Sequence, residues 1–205
     1  MQDKSLTSYI GQKGYTLLKK ELTNEQTDFI MKELIARPYV PGSPVNCSPF
    51  FKIYRESNAK FYIPRCFGET HFGKPNLMKI EDGENINLQF HGTLREHQVA
   101  PIDKYLTTVN QPNGGCGLLD LPCGFGKTSM SLYILHKLQK KAIVLVHKEF
   151  LFNQWIERIQ QFLPNARIGK IQGPVVDIEN KDIVLGMIQS LSMKTYDPSV
   201  FSSFG

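Results

Sequence analysis

Leu121-Pro122-Cys123-Gly124-Phe125-Gly126-Lys127-Thr128 is the stretch on which the reading of this chain turns. Gly124 and Gly126 let backbone N–H groups converge on one point with no Cβ in the way. Residues 128–138 follow with helical spacing, and residues 117–121 read as a short buried strand ahead of the loop. A strand feeding a glycine loop that opens a helix cradles phosphate, because the positive end of the helix dipole faces the anion. Lys127 then supplies a point charge to the β- and γ-phosphates, and the Thr128 hydroxyl can ligate Mg²⁺. The expected ligands are therefore ATP and Mg²⁺. Pro122, Cys123, Gly124, Phe125, Gly126, Lys127 and Thr128 form the expected nucleotide site, with Lys127 and Thr128 as its catalytic members. The general pattern G-x-x-x-x-G-K-[ST] would place glycine at 121, where this chain has Leu121.

Downstream of the loop, strands alternate with helices. Residues 142–146 form a continuous apolar run of the kind a strand buried on both faces needs. Residues 149–162 place Phe152, Trp155, Ile156, Ile159 and Phe162 on one helical face, which makes Trp155 a core residue. Residues 183–187 are another buried strand, and upstream residues 94–106 have helical spacing. This rhythm predicts a doubly wound α/β domain over residues 89–205. Asp82-Gly83-Glu84-Asn85 and Gly92 read as breaks, so residues 1–88 are expected to form a separate small α+β module. Within it, residues 23–36 read as a helix capped by Thr23. Pro38, Pro41, Gly42 and Pro44 stop that helix and begin a loop. Residues 51–56 and 60–65 read as a hairpin around Ser57-Asn58, and Gly68, Gly73 and Pro75 as irregular chain.

Bulk composition narrows the class. The 205 residues suffice for a sizeable core, and no apolar run approaches the ~20 residues of a membrane span. The N-terminus lacks the apolar core of a signal peptide, so an intracellular protein is expected, with no membrane partner. Cysteines at 47, 66, 116 and 123 have no C-x-x-C spacing, which argues against zinc and for reduced thiols. The net charge of +5 says little by itself, but its distribution is uneven. Residues 50–79 carry Lys52, Arg55, Lys60, Arg65, Lys74 and Lys79 against Glu56 and Glu69, interleaved with aromatic residues. Single-strand binders combine cations with stacking rings in this way. Arg55, Lys60 and Arg65 are therefore candidate phosphate contacts, and Tyr54, Phe61 or Tyr62 candidate stacking residues. The alternative is a small module whose aromatics are its core and whose lysines are solvated.

Apolar-Pro-x-Gly-x-Gly-Lys-Thr resembles motif I of superfamily 2 helicases, and three further segments agree with it in order and spacing. Leu94-Arg95-Glu96-His97-Gln98 resembles the segment that sets a glutamine against adenine. The resemblance gives Gln98 that role, lets Arg95 brace the phosphate loop and leaves His97 solvated. Val144-Leu145-Val146-His147-Lys148, followed by Leu151-x-x-Gln154-Trp155, resembles motif Ia, which implies a nucleic-acid phosphate contact for Lys148. Asp182–Leu191 resembles the strand end that touches the tracked strand, which points to Gln189 and Ser190, although Met187 stands where Thr is common. The wording looks most like the XPB/UvsW branch, including helicases of large cytoplasmic DNA viruses. Lys13-Gly14-Tyr15, Phe51-Lys52-Ile53-Tyr54 and Phe61-Tyr62-Ile63-Pro64-Arg65 extend the likeness less specifically.

The resemblance implies the first half of a RecA-like parallel-sheet motor that couples ATP hydrolysis to movement on DNA, whether single-stranded, forked or branched. It serves repair, recombination or transcription, in the host cytoplasm, nucleus or virion if the source is viral. An RNA helicase, a restriction-type translocase with the same motor and a non-hydrolysing ATP sensor are the alternatives. No Asp-Glu pair follows the phosphate loop, so motif II and a second motor domain in cis are expected further along a longer chain. These 205 residues are then expected to bind nucleotide and to hydrolyse it poorly.

Overall fold

The computed structural model describes residues 6–38, 50–111 and 115–205, and the chain divides into two compact units, Met1–Ile80 and Glu81–Gly205. Cys47 and the expected loop at residues 41–44 lie outside the described residues. The division falls ahead of the expected 88/89 boundary because residues 84–88 are hydrogen-bonded into the second unit. Ile86 N–H donates to Gln139 O, Leu88 N–H to the Gln139 carboxamide and Lys141 N–H to Glu84 O, while Leu88 is buried in that unit's core.

The first unit is a small α+β fold. Its chain runs β1 (Ser8–Gly11), β2 (Gly14–Leu18), α1 (Asn24–Glu33), β3 (Ile35–Ala36), β4 (Phe51–Lys52), β5 (Arg55–Glu56), β6 (Lys60–Ile63), α2 (Arg65–Phe72) and β7 (Leu77–Met78). Five strands form one sheet in the order β5-β6-β2-β1-β7, and β3 pairs with β4. Thr23 caps α1 reciprocally with Gln26, each satisfying the other's backbone N–H. Ile10, Tyr15, Leu17, Phe61 and Ile63 form the sheet's core face, packed with Ile30 and Leu34 from the α1 segment and with Phe67 and Phe72 of α2. Helix α2 stands where irregular chain was expected. Gly68, which looked like a breaker, is the place where the helix meets the Tyr15 ring, and an added Cβ would overlap that ring. The strands β1 and β2, which the sequence reading passed over, turn at Gly14, whose φ of +96° favours glycine.

The second unit is α/β with a parallel, RecA-like sheet. It comprises α3 (Glu96–Val109), α4 (Lys127–Leu138), β8 (Ala142–Val146), α5 (Glu149–Phe162), β9 (Ile168–Gln172), β10 (Val175–Asp177), β11 (Ile183–Met187) and α6 (Ile188–Met193). The sheet order is β10-β9-β11-β8. Strands β9, β11 and β8 are parallel, and β10 returns antiparallel on β9. Val144, Val146, Ile183 and Leu185 pack with Leu132 of α4 and with Phe152, Trp155 and Ile159 of α5. A second cluster gathers Ile102 of α3, Met130 and Ile134 of α4 and the loop residues Leu119, Leu121 and Phe125.

Residues 117–121 are not the predicted buried strand. They form no ladder and Leu118 is 91% exposed, because no described strand lies alongside to accept their backbone hydrogen bonds. Leu119 and Leu121 nevertheless reach the α3/α4 cluster and hold the approach to the glycine loop. None of the described helices is long and apolar enough to cross a membrane.

Candidate nucleotide-binding site

Gly124 and Gly126 have φ of +78° and +89°, so both glycines sit in the left-handed region and turn the backbone twice before α4 begins. Gly126 is the N-cap of α4, and the first N–H groups of the helix have no intrahelical acceptor. The Lys127 ammonium bends back to donate to Pro122 O at 2.9 Å, across the mouth of the loop. Ser129 Oγ donates to Gly126 O at 2.8 Å and tightens the first turn. Thr128 is half-buried at the second helical position, and the Cys123 thiol is exposed at the loop tip.

Two neighbours hold the loop in this shape. Phe125 packs into the α3/α4 cluster, and the His97 ring meets it edge-on at 4.4 Å between centroids. Gln98, 3% exposed, donates from Nε2 to Phe125 O at 2.8 Å and accepts from Arg95 N–H at Oε1, 2.9 Å away. Both ends of the Gln98 carboxamide are thus on backbone. Gln98, expected at the adenine, braces the loop here, the part expected of Arg95. Arg95 stands exposed at the N-cap of α3, with no hydrogen bond to the loop among the described residues. Gly126 belongs to the same contact, since a Cβ at 126 would overlap the Gln98 amide.

The donor set suits a nucleotide-borne cation better than a resident one. Among the described residues no cluster of three His, Cys, Asp or Glu side chains could hold a metal. A Thr128 hydroxyl offers one oxygen, which suits Mg²⁺ that takes its remaining ligands from phosphates and water.

The strand-end residues cluster separately. Strands β8 and β11 run side by side with Val146 opposite Met187, so their carboxyl ends are adjacent, the edge where α/β sheets place ligands. Lys148 is exposed at the N-cap of α5, and Gln189 Nε2 donates to His147 O at 2.8 Å, which brings the two expected contacts to one edge. Ser190 Oγ accepts from Gly173 N–H in the β9–β10 turn at 2.9 Å, and Tyr196 OH donates to Ser190 O. Ser190 therefore holds a turn in place.

In the first unit the expected basic-aromatic patch separates. Tyr54 and Phe61 are 3% and 1% exposed and belong to the core, so neither offers a ring for stacking. Arg65 opens α2 and pairs with Glu69 at 2.7 Å. Side chains alternate across a strand, so Phe61 faces the core while Lys60 and Tyr62 face the other way.

A glycine loop with a lysine and a threonine at a helix N-terminus, set against a parallel sheet, defines a phosphate-loop nucleotide-binding domain. The family described as "Type III restriction enzyme, res subunit" matches residues 91–202, and the chain belongs to it. A protein of Acanthamoeba polyphaga mimivirus named as an ATP-dependent RNA helicase is 31% identical over 94% of this chain and 37% of its own length. A helicase of Invertebrate iridescent virus 3 is 27% identical over 70% of this chain and 46% of its own length. A helicase of Frog virus 3 is 33% identical over 60% and 28% respectively. This chain therefore spans less than half the length of these relatives. Among solved structures, the SWI2/SNF2 ATPase core of Sulfolobus solfataricus in complex with dsDNA aligns over 55% of this chain and 24% of that one. Its identity is 19% and its TM-score 0.44. The superfamily 2 helicase resemblance, with its kinship to helicases of large DNA viruses, thus holds at the level of the family.

Proposed function

We propose that the chain is the nucleotide-binding first half of a motor that spends ATP to move along or unwind DNA. The carrying observation is the left-handed glycine loop at the start of α4, with the Lys127 ammonium held at its mouth on Pro122 O. That ammonium sits on a neutral carbonyl, a weaker partner than a phosphate oxygen, so an incoming triphosphate displaces it at little cost. Backbone N–H groups from Gly124 to Thr128 take the remaining phosphate oxygens. Mg²⁺ would be held by Thr128, where it neutralises charge on the phosphates. Lys148 and Gln189, at the carboxyl edge of β8 and β11, are assigned to the nucleic-acid backbone, with Ser190 supporting them. Arg95 is assigned to the outer rim of the nucleotide site. The acidic motif II and the second motor domain belong to the longer protein in this reading, which acts inside the cell.

RNA is the second substrate reading, favoured by the printed name of the mimivirus relative. The test is binding of a fluorescent ATP analogue to the chain and to Lys127→Ala, then hydrolysis with single-stranded DNA, forked DNA and RNA. Lys127→Ala is expected to weaken ATP at least tenfold. Nucleic acid is expected to tighten ATP binding or stimulate hydrolysis, and DNA against RNA ranks the substrates. Unchanged ATP affinity in Lys127→Ala removes the reading, and ATP binding indifferent to every nucleic acid replaces the motor with a nucleotide sensor.

A further inference from the structure

The five-stranded sheet of the first unit has a second face. Both helices of the unit pack on the side of Tyr15, Leu17 and Phe61. On the other side the register draws a straight row across the sheet. Leu77 of β7 lies opposite Tyr9 of β1, Tyr9 opposite Thr16 of β2, Thr16 opposite Tyr62 of β6 and Tyr62 opposite Arg55 of β5. Residues paired in this way share a face. The two ends of the row, Leu77 and Arg55, are exposed, Tyr9 and Tyr62 are half-buried, and the small Thr16 between the two rings is buried.

Cations crowd the two tyrosine rings. The Lys79 ammonium stands 4.3 Å from the Tyr9 centroid and Lys13 stands 5.1 Å from that of Tyr62. Lys60 donates to Tyr9 OH at 3.1 Å. That hydrogen bond outweighs burial and holds the Tyr9 phenol below its ordinary range, with Thr16 and Lys79 acting in the same direction. No carboxylate lies within ion-pairing distance of Lys13, Arg55, Lys60 or Lys79 among the described residues. Three other cations of the unit do have such partners: Lys19 and Lys52 share Glu56, and Arg65 has Glu69. A merely solvated face would mix both signs, but this one keeps rings and positive charge together without counter-charge.

We propose that this open sheet face is a stacking platform for single-stranded nucleic acid, with Tyr9 and Tyr62 receiving bases and Lys13, Arg55, Lys60 and Lys79 receiving phosphates. Charge complementarity selects an anionic partner, and the rings select one with exposed π-faces. The tyrosines stand on strands two steps apart, about 10 Å at ordinary strand spacing, so each serves its own base. A base that settles on a ring displaces the ammonium above it, and the freed lysine moves to the flanking phosphate. A duplex keeps its bases stacked on one another and cannot make this exchange.

The platform and the ATP site belong to different units of the chain, so the test is run without nucleotide and repeated in the Lys127→Ala background. Fluorescence anisotropy of the chain is measured with labelled oligo-dT, oligo-U, a duplex and an abasic strand of equal length. Tyr9→Ala/Tyr62→Ala is expected to weaken single strands at least tenfold, as is removal of the bases. Lys13→Gln/Lys79→Gln, at exposed positions that leave the core alone, is expected to weaken binding and to reduce the slope of log affinity on log salt by about 1.4. The dT and U arms distinguish DNA from RNA as the source of the strand. Affinity unchanged in the lysine variant overturns the proposal even if the tyrosine variant fails to fold. Equal affinity for the abasic strand or the duplex also overturns it, leaving a site for charge alone.

Discussion

Gln98 carries two backbone hydrogen bonds on one buried carboxamide, one to Arg95 N–H and one to Phe125 O. Truncation to alanine leaves both backbone groups unpaired in a place water reaches poorly, at about 1 kcal/mol or more for each. That cost falls on the shape of the phosphate loop, which every nucleoside triphosphate uses. Gln98→Ala is therefore expected to lower ATP and GTP affinity together, by about five- to tenfold, with their ratio unchanged. Competition against a fluorescent nucleotide reads both constants. A fall confined to ATP would return Gln98 to the adenine and take it off the loop. Gly126 lies in the same contact: it needs φ of +89° and stands where a Cβ would overlap the Gln98 amide, so Gly126→Ala is excluded on both counts. The loop itself was legible because its chemistry is contiguous. The Gln98 brace was not, because its acceptor is 27 residues away and is a main-chain carbonyl that any residue offers.

Helix α2 sets two element-scale effects against each other. Alanine at Gly68 would favour the helix by about 1 kcal/mol through propensity. The added Cβ would overlap the Tyr15 ring, which is fully buried and has nowhere to go, and overpacking costs about 1–3 kcal/mol. Gly68→Ala is therefore expected to lower the melting temperature of the first unit by several degrees, and an unchanged or raised one would refute the close approach. In the second unit, Asp182 at the foot of β11 accepts from the backbone N–H and guanidinium of Arg167. Burial pushes its carboxyl up, but these hydrogen bonds prevail and hold it below the usual carboxylate range. A depressed folded value stabilises above the unfolded pKa near ~3.9 and is lost as pH falls through the folded one. With Arg167 largely exposed and screened, the contribution is about 1–2 kcal/mol. Asp182→Asn should flatten the acid limb of a urea-denaturation series between roughly pH 5 and 2. An acid limb as steep as in the unsubstituted chain would refute it. Elements were legible where periodicity was long or unbroken, as in α5 and in the runs of β8 and β11. Strands β1 and β2 were not, because rings on both faces of the sheet erase the alternation, and α2 was not, because glycine there serves packing. Residues 117–121 read as a strand by composition, but a strand also needs a neighbour.

At the scale of the whole molecule, the two units have separate cores, and Trp155 is the only tryptophan in the chain. It packs in the second unit, against the sheet whose helix α4 opens at the phosphate loop. Tryptophan emission therefore follows the nucleotide-binding unit alone, even when the first unit unfolds at another temperature. A ligand that binds only the folded form stabilises it by about 2.7 kcal/mol at a hundredfold excess over Kd. For a unit of this size that is about 10 °C. ATP with Mg²⁺ at such an excess is expected to raise the Trp155 transition by about that amount, and Lys127→Ala to abolish the rise. Gly68→Ala, whose contacts lie inside the first unit, should leave the same transition where it is. If the Trp155 transition instead fell with Gly68→Ala, the first unit would be a structural part of the nucleotide-binding unit.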